Sequence, residues 1–235
     1  MPIVTSGSNL TLVGALFGGR TERCQWMLEE LNVDYQHEPM QVLKGVPSTM
    51  EEYEQNATHN PEVVALNPRA KIPLLKDASN DLLLAESAAI NTYLGDCYGD
   101  GIIVPKAGTK ERGLYDQWCY WNMAELDAQG WWTAYKFGPL GGKYSTAKST
   151  DAAESARRYF LKQVNAAAIE LKKTNAFICG ENFTAADILM THNLSMAKNF
   201  GWDFGANKEV FEAYLQRTMS RPAFQTVYVK KKSKM

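Results

Sequence analysis

Apolar and polar positions divide the chain into two parts with different periods. Asn9 to Ala15 is a short, strand-like apolar run, and a Gly18-Gly19 turn follows it. Cys24, Met27, Leu28 and Leu31 then recur at i, i+3, i+4 and i+7, one face of a helix. Asp34 to Met40 alternates weakly and reads as a strand, whereas Leu43 to Asn60 is polar, holds Gly45 and Pro47, and reads as a long, partly irregular loop. Pro61-Glu62 opens a short helix, because proline is tolerated in a first turn, and Asn67-Pro68 closes it. Ile72 to Lys76 and Asp81 to Ala85 are apolar runs joined by Asp77-Ala78-Ser79-Asn80, which is hairpin chemistry. A helix with Ile90, Tyr93, Leu94 and Cys97 on one stripe comes next. The predicted order is β-α-β-α-β-β-α, a mixed four-stranded sheet flanked by helices.

Beyond this point the pattern is helical. Residues 99–109 are rich in glycine and proline and lack periodicity, which predicts a linker between a first domain over 9–98 and an all-helical domain over 110–231. Lys110 to Phe137 reads as one long aromatic-rich helix or a helix pair, broken by Gly138-Pro139-Leu140-Gly141-Gly142. Asp151 to Thr174 is amphipathic, with Ala156, Tyr159, Phe160, Val164, Ala167 and Leu171 toward a core. Thr184-Ala185-Ala186-Asp187 has the form of a helix-start box, and a further helix around Val210 to Met219 ends before Arg221-Pro222.

Composition narrows the function classes. With 235 residues the chain has room for two modest domains, and its 45% hydrophobic and 22% charged residues are ordinary for a globular protein. A formal net charge of −1 gives no field to gather nucleic acid or anionic lipid, so neither is expected as a partner. No apolar run approaches the ~20 residues of a membrane span. Met1 to Asn9 lacks the basic start and apolar core of a secretory signal, and a cytoplasmic location is expected. Cys24, Cys97, Cys119 and Cys179 form no Cys-x-x-Cys pair, and His37, His59 and His192 are scattered. Reduced, mostly buried thiols and no metal are therefore expected.

Two places in the first domain carry unusual chemistry. In Asn67 to Leu75, Pro73 at the second position of an apolar strand removes a ladder donor, which suits an edge that faces a ligand. A cis Ile72–Pro73 bond would turn the Ile72 N–H and C=O outward, where an extended peptide can pair with them. At Glu86-Ser87 a strand ends and a helix begins. The serine hydroxyl and free amides there suit a carboxylate, and the Glu86 carboxylate suits an ammonium. Together they fit a short peptide with a free amino-acid end.

These segments resemble those of the cytosolic glutathione transferase family. The resemblance rests on Trp26 to Leu31, on Ala65-Leu66-Asn67-Pro68 leading to Ile72-Pro73, on Glu86 to Ile90, on Gly180 to Ile188, and on Ser220-Arg221-Pro222-Ala223-Phe224. It implies a thioredoxin-like α/β N-terminal domain, an all-α C-terminal helical domain, a homodimer, and a cis bond before Pro73. It also implies glutathione as co-substrate: Ile72 would pair with its cysteinyl backbone, Glu86 and Ser87 would take the γ-glutamyl group, and Lys71 or His59 would meet the glycyl carboxylate. The Thr184 to Asp187 box corresponds to a structural motif of the family.

One part of the pattern departs. Many members carry a serine where this chain has Gly19, and no tyrosine precedes Tyr35. Thr21 could supply a displaced hydroxyl; Arg20 with the amides at the helix start could stabilise the thiolate; or the chemistry could be lost. Arg20 and Arg23 also read individually as solvated helix-start charges. Gln117 to Met123 resembles the nu-type and prion-regulator-like branch, which implies that Asn122 reaches glutathione and that Trp118 and Trp121 line a pocket for a small hydrophobic electrophile; the alternative for each tryptophan is core packing. The expected function is transfer or reduction by glutathione thiolate, with a non-catalytic glutathione-binding or regulatory protein as the alternative. Ser233-Lys234-Met235 resembles a peroxisomal address, with a cationic tail as the other reading.

Overall fold

A computed structural model of the chain describes residues 9–16, 18–43, 51, 59–141 and 147–230. The first elements are β1 (Leu10–Gly14), α1 (Thr21–Leu31), β2 (Gln36–Pro39), α2 (Pro61–Leu66), β3 (Leu74–Asp77), β4 (Leu82–Ala85) and α3 (Ser87–Tyr98). That is the order the apolar pattern predicts. Most of the loop expected over Leu43 to Asn60 lies outside the described residues, as does the tripeptide at 233–235.

The sheet runs β2-β1-β3-β4. β1 is parallel to β2, as a helical crossover requires, while β3 is antiparallel to both β1 and β4. Val13 stands opposite Leu74, and Leu74 opposite Ala85. On that face Val13, Leu74 and Met40 form a core with Val63 of α2, bordered by Leu66, Ile72 and Ala85. Leu10 and Leu12 point the other way by the two-residue alternation and are buried too, so both faces are covered. The β3–β4 turn is tied to α3 through Asp77, whose carboxylate accepts from Tyr93 Oη at 2.6 Å, Asn80 Nδ2 at 2.9 Å and the Ser79 N–H at 2.9 Å.

α1 is buried more widely than its amphipathic stripe predicts, with Arg23, Gln25 and Trp26 enclosed as well. Segment 219–230 covers Trp26. Trp26 meets the Phe224 ring at 5.0 Å and the Tyr228 ring at 6.0 Å, and Arg221 grips the Glu30 carboxylate with two hydrogen bonds of 2.6 and 2.7 Å. Residues 219–230, assigned from sequence to the helical domain 110–231, thus belong to the first compact unit, together with 9–43 and 59–112. The linker 99–109 is fastened within that unit. Ile103 and Val104 are buried, and Arg112 at its far end pairs with Asp96 at 2.8 Å.

The second unit takes in 113–141 and 147–218. The long aromatic segment begins as α4 (Lys110–Trp121), widens to a π-helical stretch over Asn122–Trp132, and ends as α5 (Thr133–Phe137). Gly130 leaves helical conformation at φ −86°, ψ −108°. A Cβ there would lie 2.7 Å from the Phe160 ring, so glycine permits the close approach of α6 (Thr150–Thr174). The predicted core stripe of α6 is buried except at Tyr159, which lies at the edge of the stripe and donates its hydroxyl to Glu125. α7 (Ala185–Asn199) and α8 (Lys208–Met219) complete the unit. Asp187 accepts from the Ile178 and Thr184 N–H groups at 2.9 Å each, from Tyr214 Oη at 2.8 Å and from Thr184 Oγ1 at 3.1 Å. The box is structural, as the resemblance implies.

Candidate functional site

Three short segments of the first unit hold the residues singled out by sequence. In the first, Asn67 builds a knuckle. Its Nδ2 donates to the Lys71 C=O at 2.9 Å, its Oδ1 accepts the Arg69 N–H at 3.2 Å, and its own C=O accepts the Ala70 N–H at 2.8 Å. Ala70 is buried in the left-handed region at φ 51°, and Lys71 is exposed. The Ile72–Pro73 bond is cis, as expected. The β3 ladders begin at Leu74, so the Ile72 main chain lies outside both of them while its side chain borders the core.

The second segment is the β4–α3 junction. Glu86 adopts φ 70°, ψ 112°, a region that costs a side-chain-bearing residue free energy, and no side chain caps the helix behind it. The Glu86 carboxylate is exposed and lies 3.4 Å from Arg69 Nη1, an ion pair open to solvent and therefore worth little to stability. Ser87 is only 2% exposed, and its hydroxyl oxygen accepts from Arg23 Nη1 at 3.4 Å. Arg23 itself is 0% exposed, which corrects its reading as a solvated helix-start charge: its helix position turns it inward to α3, where Asn91 Nδ2 holds its C=O at 3.4 Å. Sequence reasoning gave neither Arg69 nor Arg23 a place at this junction. Arg69 was visible as a charge inside the proline knuckle; Arg23 carried no signal, since only the α1–α3 packing brings it beneath Ser87.

The third segment is the β1–α1 turn. Gly18 and Gly19 have φ of 76° and 70°, and the Gly18 N–H donates to Glu22 Oε1 at 2.9 Å. Thr21 is 2% exposed, its Oγ1 accepts the Ala15 N–H at 3.0 Å, and it packs so closely on Gly14 that a Cβ there would come within 2.4 Å. The hydroxyl expected to stand in for the missing serine thus has its oxygen engaged within the turn. Thr21 braces the turn from inside, and Arg20, at the helix start with φ −70°, ψ −15°, is the partly exposed member of the pair. His59 is buried in a bridge to Leu43 just ahead of α2.

The residues expected to form the electrophile pocket belong to the second unit. Trp118 and Trp121 are half-buried and meet edge to face at 5.0 Å. Asn122 is 0% exposed and engaged at both ends of its amide: Nδ2 donates to the Trp118 C=O at 2.9 Å, and Oδ1 accepts from Asn193 Nδ2 at 3.2 Å. Asn193 in turn accepts from Trp131 Nε1 at 2.9 Å. The amide expected to reach glutathione is thus engaged within the second unit. Its amide knits α4 to α7.

The thiols add no nucleophile at these segments. Burial pushes the Cys24 thiol up, against a smaller pull down from Arg23, and burial likewise raises Cys119. Cys179 is pushed up to about 12 by burial. Of the four thiols expected to be mostly buried, Cys24 and Cys119 are enclosed, Cys179 is half-buried and Cys97 is exposed.

Residues 20–97 match the family model for the N-terminal domain of glutathione S-transferase, and residues 129–222 match that for its C-terminal domain. The chain belongs to the glutathione S-transferase family. Elongation factor 1-gamma 1 of Oryza sativa subsp. japonica is 29% identical over 180 residues, covering 71% of this chain and 38% of that protein. Glutathione S-transferase GstB of Escherichia coli (strain K12) is 34% identical over 117 residues, covering 50% of each chain. The match thus spans half or less of the length of these curated relatives. The solved glutathione transferase URE2P6 from Phanerochaete chrysosporium, in complex with oxidized glutathione, matches with a TM-score of 0.79 at 24% identity, covering 97% of this chain and 98% of that one. The thioredoxin-like sheet domain followed by a helical domain is the family's fold.

Proposed function

We propose that this chain binds glutathione across the 67–73 knuckle and the Glu86-Ser87 junction and uses its thiolate against small apolar electrophiles or peroxides. The observation that carries this reading is Glu86, a residue held at φ 70° at an uncapped helix start, since strain of this kind persists where binding has a use for it. In this reading the Ile72 main chain pairs with the cysteinyl backbone, Glu86 meets the ammonium, and Ser87 meets the α-carboxylate. Lys71 meets the glycyl carboxylate.

With Thr21 enclosed, thiolate stabilisation falls to Arg20 and the amides at the start of α1. A free thiol titrates near ~8.5, so only a few per cent is ionised at neutral pH, and opposite charge and amide donors lower that value. The test is the absorbance titration of bound thiol, alongside turnover of an aryl halide and a hydroperoxide. A bound thiol titrating clearly below its free value, raised again by Arg20→Ala, is the expected outcome. A bound thiol titrating at its free value, with no turnover of either substrate, favours the second reading, a glutathione-binding interaction module. The likeness to elongation factor 1-gamma and the glycine at position 19 support that reading.

A further inference from the structure

We propose that Arg23 is a positioning residue for the γ-glutamyl α-carboxylate of glutathione and acts through the Ser87 hydroxyl; this rests on the reading of Ser87 given above. Arg23 lies in the first turn of α1 with its guanidinium inside the unit, and Nη1 is 3.4 Å from Ser87 Oγ.

Two consequences follow from the chemistry of the pair. A guanidinium has donors and no acceptor, so Ser87 Oγ must accept on the Arg23 side, which directs the hydroxyl proton away from Arg23. Ser87 is then presented to a ligand as a donor, which suits a carboxylate and disfavours an ammonium. The guanidinium also stays ionised at any pH the protein survives. Enclosed as it is, its charge is screened less than that of a surface arginine and favours an anion above Ser87. Asn91, one turn along α3 from Ser87, holds the Arg23 C=O and keeps the two helices in register at this point. The ligand's two charges are thereby separated: the exposed Glu86 carboxylate takes the cation, and Ser87 backed by Arg23 takes the anion. Glu86 and Ser87 are adjacent in sequence, so it is the charge behind the serine that makes the assignment directional.

The test compares binding of glutathione with binding of its analogue lacking the α-carboxylate, γ-aminobutyryl-cysteinyl-glycine, by calorimetry on the full chain. Arg23→Met and Ser87→Ala are each expected to weaken glutathione about tenfold, to leave the analogue unchanged, and to combine without adding. In turnover the same variants raise KM with kcat preserved. Equal weakening of both ligands by Arg23→Met, or full additivity with Ser87→Ala, overturns the proposal by reducing Arg23 to a packing residue. If Arg23→Met does not fold, Arg23→Gln decides: it keeps a donor toward Ser87 and loses the charge, so the preference for glutathione over the analogue should shrink, and an unchanged preference overturns the proposal. If Ser87→Ala removes that preference while folded Arg23 variants keep it, only the role of Arg23 falls. If glutathione does not bind, or Ser87→Ala leaves the preference intact, the reading of Ser87 falls with it.

Discussion

Two helix starts in this chain are built from similar residues and put to opposite uses. At the start of α7, Thr184-Ala185-Ala186-Asp187 closes on itself, and four hydrogen bonds converge on one buried carboxylate. At the start of α3, Glu86-Ser87-Ala88-Ala89 leaves its carboxylate in solvent, no side chain caps the helix, and Glu86 sits at φ 70°. A helix start leaves amide groups to be satisfied, and a protein can meet that need internally or leave it for a ligand. The first choice gives stability. The second costs stability and leaves amide donors and a charge open, which the proposed reading assigns to an amino-acid end.

The largest expected effect is at the closed start. Asp187→Ala strands two buried N–H groups and two hydroxyls, and should destabilise the fold by roughly 3 to 5 kcal/mol. In a chain of this length that lowers the melting temperature by on the order of 10 °C. Glutathione affinity at temperatures where the variant is folded should be unchanged. The open start should respond the other way round. Glu86→Gly relieves the unfavourable backbone region and is expected to raise stability by about 1 kcal/mol, because the solvent-exposed pair with Arg69 contributes little. The same substitution should weaken glutathione about tenfold by removing the ammonium partner. A variant that loses both stability and affinity would show that Glu86 is structural, and the contrast between the two starts would break.

The difference also explains what the sequence could show. The sheet, the short helix at Pro61, the amphipathic α6 and the closed box were all legible, because each follows from local periodicity or from a capping pattern within four residues. The cis Ile72–Pro73 bond and the strand-to-helix junction at Glu86-Ser87 were legible for the same reason: each follows from residues adjacent in the chain. What surrounds them was not. Arg23 reads as a helix-start charge until α1 is packed on α3, and the burial of Trp26 needs a segment some 190 residues away, through the Arg221–Glu30 pair. Asn122, to which the family resemblance gave a ligand contact, has its amide engaged by Asn193 on another helix, a partner that no local pattern shows. Chemistry set by tertiary packing leaves no period in the sequence.

A smaller effect is expected at Gly19, where the family resemblance calls for serine. A Cβ at Gly19 would meet open space, yet φ 70° disfavours any side chain, so Gly19→Ser should cost about 1 kcal/mol. The bound thiol is expected to keep its titration, because the backbone here, and not only the residue type, differs from a turn built to carry a serine. A Gly19→Ser variant with a markedly lower thiol pKa would show that the turn refits around the hydroxyl.

The smallest effect compares two enclosed carboxylates, one beside each helix. Burial pushes Asp187 up, and its hydrogen bonds do not cancel that rise. Burial also pushes Asp77 up, but the donors Tyr93, Asn80 and the Ser79 N–H outweigh it, and its carboxyl lies below the ordinary value. The signs of the pH dependence are therefore opposite. Below its raised folded value Asp187 holds a proton that the unfolded chain has released, so its contribution to stability falls as pH rises through that window. Asp77 contributes stability that is complete above the ordinary carboxyl value of about 3.9 and is lost as pH falls through its lower folded value. Tyr93→Phe removes the 2.6 Å donor, lets burial weigh more heavily, and should move that loss to higher pH. The cost at neutral pH should be about 1 kcal/mol, and it should shrink on acidification as Asp77 takes up its proton. Thermal melts of both proteins between about pH 3 and 7 read this directly. Parallel curves over that range would mean that Tyr93 does not set the Asp77 titration, and that Asn80 and the turn amides suffice to overcome burial.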